Sequence, residues 1–338
     1  MNRTRLEVMR HIEPDVAKAI PALLKSEDLY WQPTDFLPDM ADEDAFEQVA
    51  ELRARAKELP DDLMVVLIGD MITEEALPSY SAWIAQLDGF QKSGEPNSAW
   101  GEWSRKWSSE ENRHGDVLNR YLYLSGRVNM REIEITVQNL IADGGDVGTA
   151  CDPYRAFVYT SFQELATQVS HKNVAVQAKA AGDELLARLC QFIAGDEHRH
   201  AKAYKMFFQK CLEADTNEAL LTFYEMMRTK IVMPAMYMRE KGKAVGDTFR
   251  KFSEVAERVE VYTKDHYVEI LENLLTSWNV ADLKGLSAEA EKAQDYLCSL
   301  PERYRKVIAR YSGPKSTEDH QFSWLNNRLD PKYGMTQA

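Results

Sequence analysis

Glu111-Asn112-Arg113-His114, repeated as Glu197-His198-Arg199-His200, is the stretch on which the reading of this chain turns. On a helix, residues i and i+3 share a face, so each Glu-x-x-His unit points a carboxylate and an imidazole the same way. Two such units, with one further Glu from each of two more helices, are what a four-helix bundle uses to hold a di-iron or di-manganese pair. The chain supplies the two further acids in order, Glu74 ahead of the first unit and Glu164 ahead of the second. The pattern is an internal repeat of helix pairs: Glu, Glu-x-x-His, Glu, Glu-x-x-His.

One Glu-x-x-His alone would be weak evidence, since both residues are common on solvated helix faces. The register around each unit decides otherwise. Trp100, Trp103, Trp107, Glu111, His114, Leu118 and Tyr121 follow one another at steps of three or four, and so do Leu186, Leu189, Ile193, Glu197, His200, Tyr204 and Phe207. Such spacing is the buried stripe of an amphipathic helix. Acids and imidazoles interrupting an apolar stripe must be paired or must coordinate a metal, because an uncompensated buried charge is costly.

Outward from the two units, helical periodicity runs through most of the 338 residues. The expectation is an all-α, ferritin-like di-iron four-helix bundle with additional flanking helices. It forms one domain over 1–338, with its core at about 62–212 and an irregular tail after 313. Helices are predicted at 44–59, 62–87, 98–124, 130–142, 153–170, 174–212 (interrupted at Gly182), 217–233, 247–277, 288–298 and 301–311. They follow a short helix-like N-terminus, and a loop spans 143–148, with Gly144 as a helix stop. Pro78 lies four residues after Glu74 and cannot donate to its carbonyl, so a kink is expected at that ligand turn. No strand-period segment stands out.

Composition narrows the function. Hydrophobic content of 44% and 28% charged residues are those of a soluble globular protein. The longest purely apolar run, 63–68, is far short of the ~20 residues that cross a bilayer. No signal or transit peptide is visible at the N-terminus. A net charge of −13 argues against nucleic acid as a partner. Cys151, Cys190, Cys211 and Cys298 are scattered, which suits a reducing compartment and supports neither a zinc site nor a disulfide framework.

Four carboxylates and two imidazoles are a hard, anionic donor set that brings two divalent irons close to neutrality. The same set suits manganese, and the residues alone do not say which acids bridge. Asp196, beside Glu197, and Arg113, inside the first unit, form a pair that could orient a ligating imidazole or simply a surface ion pair. Thr167, three residues after Glu164, either faces the metals or bonds its own helix carbonyl.

Taken together, these residues resemble the soluble acyl-[acyl-carrier-protein] desaturases of the plant stearoyl type, from about Trp31 to Leu325. The likeness is carried by Trp31-Gln32-Pro33-Thr34-Asp35-Phe36-Leu37-Pro38, Gly69-Asp70-Met71-Ile72-Thr73-Glu74-Glu75-Ala76-Leu77-Pro78 and Glu110-Glu111-Asn112-Arg113-His114-Gly115-Asp116. Tyr121-Leu122-Tyr123-Leu124-Ser125-Gly126, Tyr159-Thr160-Ser161-Phe162-Gln163-Glu164, Asp196-Glu197-His198-Arg199-His200 and Lys292-Ala293-Gln294-Asp295-Tyr296 continue it.

The resemblance implies a homodimeric di-iron enzyme that uses O2 and two electrons from ferredoxin to remove two hydrogens from an acyl chain on acyl carrier protein. It implies Glu74, Glu111, His114, Glu164, Glu197 and His200 as iron ligands and Thr167 as a hydroxyl aiding proton delivery. It further implies a path for electrons through Trp31, Arg113, Asp196 and His114. The acyl pocket is expected to involve Trp83, Gln86, Leu87, Thr149, Ala156 and Phe157. Trp83 stands where the stearoyl enzymes carry Met, and Ala156 where they carry Gly, so acyl chains shorter than stearoyl, or a shifted double bond, are expected. The N-terminal arm of the plant enzymes is mostly missing. A bacterial cytosol and a plastid stroma both fit.

Arg228 with Lys230, and Arg239 with Lys241 and Lys243, are candidates for meeting an acidic carrier protein. The bundle alone would also fit an iron-storage ferroxidase, or a radical-generating subunit with Tyr204 one turn beyond His200. A rubrerythrin-like peroxidase would need paired cysteines that this chain lacks.

Overall fold

The computed structural model describes residues 4–87, 89–90, 98–145, 147–311, 313 and 315–325. Twelve α-helices are found among them, and no strand beyond one isolated Val128–Leu325 bridge. They are α1 (Arg5–Leu23), α2 (Ala45–Glu58), α3 (Asp61–Glu74), α4 (Leu77–Ile84), α5 (Ala99–Ser125) and α6 (Met130–Asp143). The second half holds α7 (Pro153–Ala180), α8 (Glu184–Ala214), α9 (Thr216–Thr229), α10 (Asp247–Arg258), α11 (Lys264–Ser277) and α12 (Ala288–Tyr311). The all-α expectation is met. Of the expected loop at 143–148, Asp146 lies outside the described residues, and Gly144 does end α6 with φ +71°.

Helices α3, α5, α8 and α7 close a ring in which each packs on two others. This is the bundle the repeat demanded. Buried side chains form two apolar cores, one on either side of its middle. One is built around Trp100, Phe157, Phe207 and Trp278, the other around Leu67, Leu118, Leu189 and Trp324. The six repeat-derived acids and imidazoles lie in a polar layer between them, none more than 8% exposed.

Several boundaries differ from expectation for identifiable reasons. The segment 62–87 is broken rather than merely kinked: α3 stops at Glu74, Glu75 and Ala76 form a turn, and Pro78 sits in the first turn of α4, where it needs no N–H partner. Glu74 nevertheless stays in the bundle. The predicted stop near 170 is absent. Helix α7 continues to Ala180 and ends where Gly182 takes φ +89° and Asp183 caps α8 through the N–H of Leu186. Segment 247–277 divides at 259–263, where Thr263 caps α11. Pro301 does not end α12. It is buried beside Leu297 and Leu300, and that packing outweighs the lost hydrogen bond.

The residues after α12 are irregular, as expected, yet they are tied down. Arg258 bonds Asp62 at 2.7 Å and the carbonyls of Ser316 and Glu318 at 3.1 Å. His320 lies 2.8 Å from Glu254, Ser323 donates to Glu240, and the Trp324 indole donates to Thr136 at 3.0 Å. Residues 315–325 thus form a strap across α10 and α6.

Candidate metal centre

Each donor comes from the helix the repeat assigns. Glu74 ends α3, Glu111 and His114 share a face of α5, Glu164 lies within α7, and Glu197 and His200 share a face of α8. Two four-residue groups result, Glu74–Glu111–His114–Glu197 and Glu111–Glu164–Glu197–His200, each with its donor atoms within 4.8 Å of one another. Glu111 and Glu197 belong to both.

The oxygens divide accordingly. Glu111 places Oε2 3.2 Å from His114 Nδ1 and Oε1 2.7 Å from His200 Nδ1. Glu197 places Oε1 3.2 Å from His114 Nδ1 and Oε2 3.9 Å from His200 Nδ1. Of the imidazoles of His114 and His200, Glu74 approaches only the first, at 3.8 Å, and Glu164 only the second, at 3.6 Å. The sequence left open which acids bridge; Glu111 and Glu197 are the two that approach both imidazoles.

Whether a metal pair fits can be judged from the same atoms. Glu111 Oε1, Glu197 Oε1, His114 Nδ1 and His200 Nδ1 are all buried and form no hydrogen bond. Four orphaned lone-pair atoms converging on one interior would be strongly destabilising unless cations sat among them. Their chemistry, carboxylate oxygen and imidazole nitrogen, suits a hard divalent pair. The residues fit.

The outward nitrogens of the two imidazoles are held by acids that cross between repeats. His114 Nε2 lies 3.4 Å from Asp196, the acid preceding the second unit, and His200 Nε2 lies 3.1 Å from Glu110, the acid preceding the first. Each unit therefore supports the imidazole of the other, the arrangement that fixes a ligating histidine's tautomer. Glu110 was missed at the sequence level. Its signal is present, since both units extend to acid-Glu-x-Arg-His. Arg199 bonds both Glu110 and Asp196, and Lys25 bonds Glu110 through its backbone N–H and Asp196 through Nζ.

On the Asp196 side the expected set comes together. Trp31 Nε1 donates to Asp196 at 2.9 Å, Arg113 donates to the Trp31 carbonyl at 2.9 Å, and the Trp31 ring stacks on His114 at 6.0 Å. Arg113 lies 3.4 Å from Asp196 and is buried, so this is no surface pair. Burial alone would raise the Asp196 carboxyl, but its bond to His114, the charges of His114 and Arg199, and the bond from Lys25 hold it far below the usual range. Burial and the charges of Glu111 and Glu197 push the Glu164 carboxyl well up, as expected where anions crowd without cations.

Two more supports escaped the sequence. Trp107 Nε1 donates to Glu164 Oε1 at 3.2 Å, and His171 Nε2 lies 3.0 Å from Glu74 Oε1. His171 falls seven residues after Glu164 on the same α7 face, but the misplaced stop near 170 hid it. Thr167 donates to the carbonyls of Gln163 and Glu164, the self-bonded alternative, while also lining the cavity described next.

Two cavities meet beside the donors, sharing Tyr80, Trp107, Gln163 and Pro234. The first, of about 490 Å³, is mostly apolar. It runs from Glu74, Glu111 and Glu197 past Phe252, Tyr262 and Tyr267 to Lys230 and Lys264. The second, of about 440 Å³, is lined by Trp83, Gln86, Thr149, Tyr159 and Cys151 among others. The Trp83 indole donates to Thr149 Oγ1 across it.

Of the residues expected around the acyl chain, Trp83, Gln86 and Thr149 line the second cavity. Leu87, Ala156 and Phe157 line neither cavity and are buried in the aromatic core, where Phe157 packs on Phe90, Trp100 and Phe207. Of the basic candidates, Arg239 is engaged by Asp143, and Lys230 stands at the mouth of the first cavity. No helix among the described residues is long and apolar enough to cross a membrane.

Gly115 shows how closely α5 carries the α3 ligand turn. A Cβ there would stand 3.2 Å from the Glu75 nitrogen and 3.3 Å from the Glu74 carbonyl carbon, both backbone atoms with little room to give. Overpacking of this kind costs about 1–3 kcal/mol, against a gain of about 1 kcal/mol from replacing a mid-helix glycine. Gly115→Ala is expected to lower the melting temperature of the metal-free protein; an unchanged or raised one would show that the Glu74 turn can move.

A helical bundle whose interior gathers carboxylates and imidazoles into two overlapping donor groups defines the class of carboxylate–histidine metal bundles. Within that class, the chain belongs to the fatty acid desaturase family, whose family model matches residues 4–326. It is 48% identical over 327 residues to palmitoyl-[acyl-carrier-protein] 4-desaturase 3 of Ophrys sphegodes, and 49% identical over 326 residues to stearoyl-[acyl-carrier-protein] 9-desaturase of Ricinus communis. Each match covers 96% of this chain and 82% of the relative. The fold is shared with DesA2 of Mycobacterium tuberculosis at a TM-score of 0.54 and 19% identity, over 82% of this chain and 96% of that one.

Proposed function

We propose that the chain is an acyl-[acyl-carrier-protein] desaturase of fatty acid biosynthesis that holds two iron ions between Glu74, Glu111, His114, Glu164, Glu197 and His200. One observation carries this reading. Two donor groups sharing Glu111 and Glu197 open on a mostly apolar cavity of about 490 Å³. Held there, the iron pair supplies the O2 activation that an unreactive methylene requires. O2 takes up two hydrogens from the acyl chain together with two electrons and two protons, and leaves as two waters.

The protein's own part is placement. The apolar wall of the first cavity excludes water and aligns the acyl chain beside the two bridging acids. Lys230 and Lys264 at its mouth face the anionic arm of the carrier protein. The second cavity, closed by Trp83 on Thr149, receives the methyl end. Thr167 supplies a hydroxyl at the wall, which must turn from its helix carbonyls to pass a proton inward.

Ferredoxin as electron donor and a homodimer as the assembled form belong to the same proposal. Lys25 and Arg199, partly exposed beside Asp196, suit an acidic electron donor. Trp31→Phe keeps the ring against His114 and removes only the bond to Asp196. Ferredoxin-driven turnover is expected to fall roughly tenfold, the order of one charged hydrogen bond, with iron content unchanged. Equal turnover in the variant would take Trp31 out of the path.

Turnover itself is the test. Iron-loaded protein with reduced ferredoxin, O2 and a series of acyl-carrier-protein thioesters should give a monounsaturated product, located by mass spectrometry. Its length and bond position also separate 4- from 9-desaturation, between which the relatives divide at nearly equal identity. A fully loaded sample that made no product would overturn the reading.

A further inference from the structure

The two metal positions are matched in how their imidazoles are supported and differ in the backbone that carries their terminal acids. Asp196 and Glu110 back His114 and His200 in the same way. Glu164 and Glu74 each present one oxygen to an imidazole and the other to an N–H, from Trp107 in one case and from His171 in the other.

The backbones beneath the two acids differ more. Glu164 sits inside α7, with helix on both sides and 2% of its surface exposed. Glu74 is the last residue of α3, followed by the turn at Glu75 and Ala76, and its side chain forms part of the cavity wall. The Glu74 backbone is packed against Gly115, but no following helical turn flanks its side chain. The orientation of Glu164 is fixed largely by its own helix, whereas Glu74 depends on what holds its side chain.

His171 is what holds it. Its imidazole is 1% exposed, reaches Glu74 Oε1 at 3.0 Å and has the buried Cys190 thiol beside it. The neighbouring Ser170 bonds Asp70 at 2.9 Å, which ties that stretch of α7 back to α3 one turn before Glu74.

Resting on the two-iron reading, we propose that His171 is a positioning residue that sets the affinity of the Glu74-side metal position, making it the second to fill. Such partners of a ligand carry about 10–100-fold in metal affinity.

The test is an anaerobic Fe(II) titration of metal-free protein, followed calorimetrically and by metal analysis of the desalted product. Wild type should take two irons per chain. His171→Leu removes the donor and should keep the first iron at wild-type affinity while weakening the second 10–100-fold. His171→Gln retains an N–H within reach of Glu74 and should restore most of the second affinity, which a purely space-filling role would not.

Circular dichroism of the metal-free variants establishes that both are folded. Two irons of wild-type affinity in His171→Leu, or equal weakening of both, would overturn the assignment. Fewer than two irons in the wild type would instead overturn the two-iron reading, before any substitution is compared.

Discussion

Glu197→Gln and Glu111→Gln, made separately, should each empty both metal positions and abolish desaturation. Each of these acids lends one oxygen to either half of the centre, so neither half survives its loss. The effect should exceed the roughly 10–100-fold carried by partners one bond further out. Glu164→Gln, by contrast, removes a donor from one group only, and one metal should remain.

Metal analysis and product formation read both outcomes. A folding control is built into the chemistry. In metal-free protein Glu164 is the acid that Glu111 and Glu197 oppose, so Glu164→Gln should leave the melting temperature equal or higher, and circular dichroism checks the fold of the other two variants. A Glu197→Gln protein that retained two metals would remove the bridging assignment.

The second large effect concerns chain length. Trp83 closes the second cavity by donating to Thr149 and stacks edge-on against Tyr159 at 6.0 Å. Trp83→Ala would open that end while leaving the donors untouched. Each additional buried methylene is worth about 0.8 kcal/mol, so two more should shift kcat/KM in favour of the longer acyl chain by roughly tenfold. The double bond should move along with it, counted from the methyl end. Competition between acyl-carrier-protein thioesters differing by two carbons measures the ratio directly. An unchanged product profile would mean that the methyl end lies elsewhere, the buried Ala156–Phe157 side being the other candidate.

Much of the centre was legible because ligand spacing and apolar stripe reinforce each other on α5 and α8. A carboxylate at a stripe position is anomalous, and two in the same register constrain the fold more than composition does. Legibility ended where the deciding contacts lie far apart in sequence. Nothing near His171 marks it as a partner of Glu74 once α7 is thought to stop at 170. The real stop depends on Gly182 taking a left-handed conformation, a weaker signal than a proline.

Pro78 and Pro301 make the complementary point. Both lack an N–H, yet one begins a helix and the other is absorbed within one, because neighbours on α9 and α11 pack against α12. Only some of the residues expected around the acyl chain line a cavity, for a similar reason. Residues adjacent in sequence, such as Gln86 and Leu87, face opposite sides of a turn, and only the three-dimensional closure of Trp83 on Thr149 decides which face is lumen.

The exchange of supporting acids between the two repeats bears on how the protein matures. Neither helical hairpin can finish its own imidazole, since Asp196 serves His114 and Glu110 serves His200. A chain with one hairpin formed and the other undocked would offer only three of the six donors, with the imidazole unsupported, and should hold a cation far more weakly. Loading would thereby proofread assembly, capturing chains whose halves have met in the correct register. At a free-metal level of 100 times its dissociation constant, each occupied position would add about 2.7 kcal/mol to the folded state. A cell starved of the metal should accordingly accumulate less of this protein rather than more of an inactive form, and its abundance would serve as a gauge of supply.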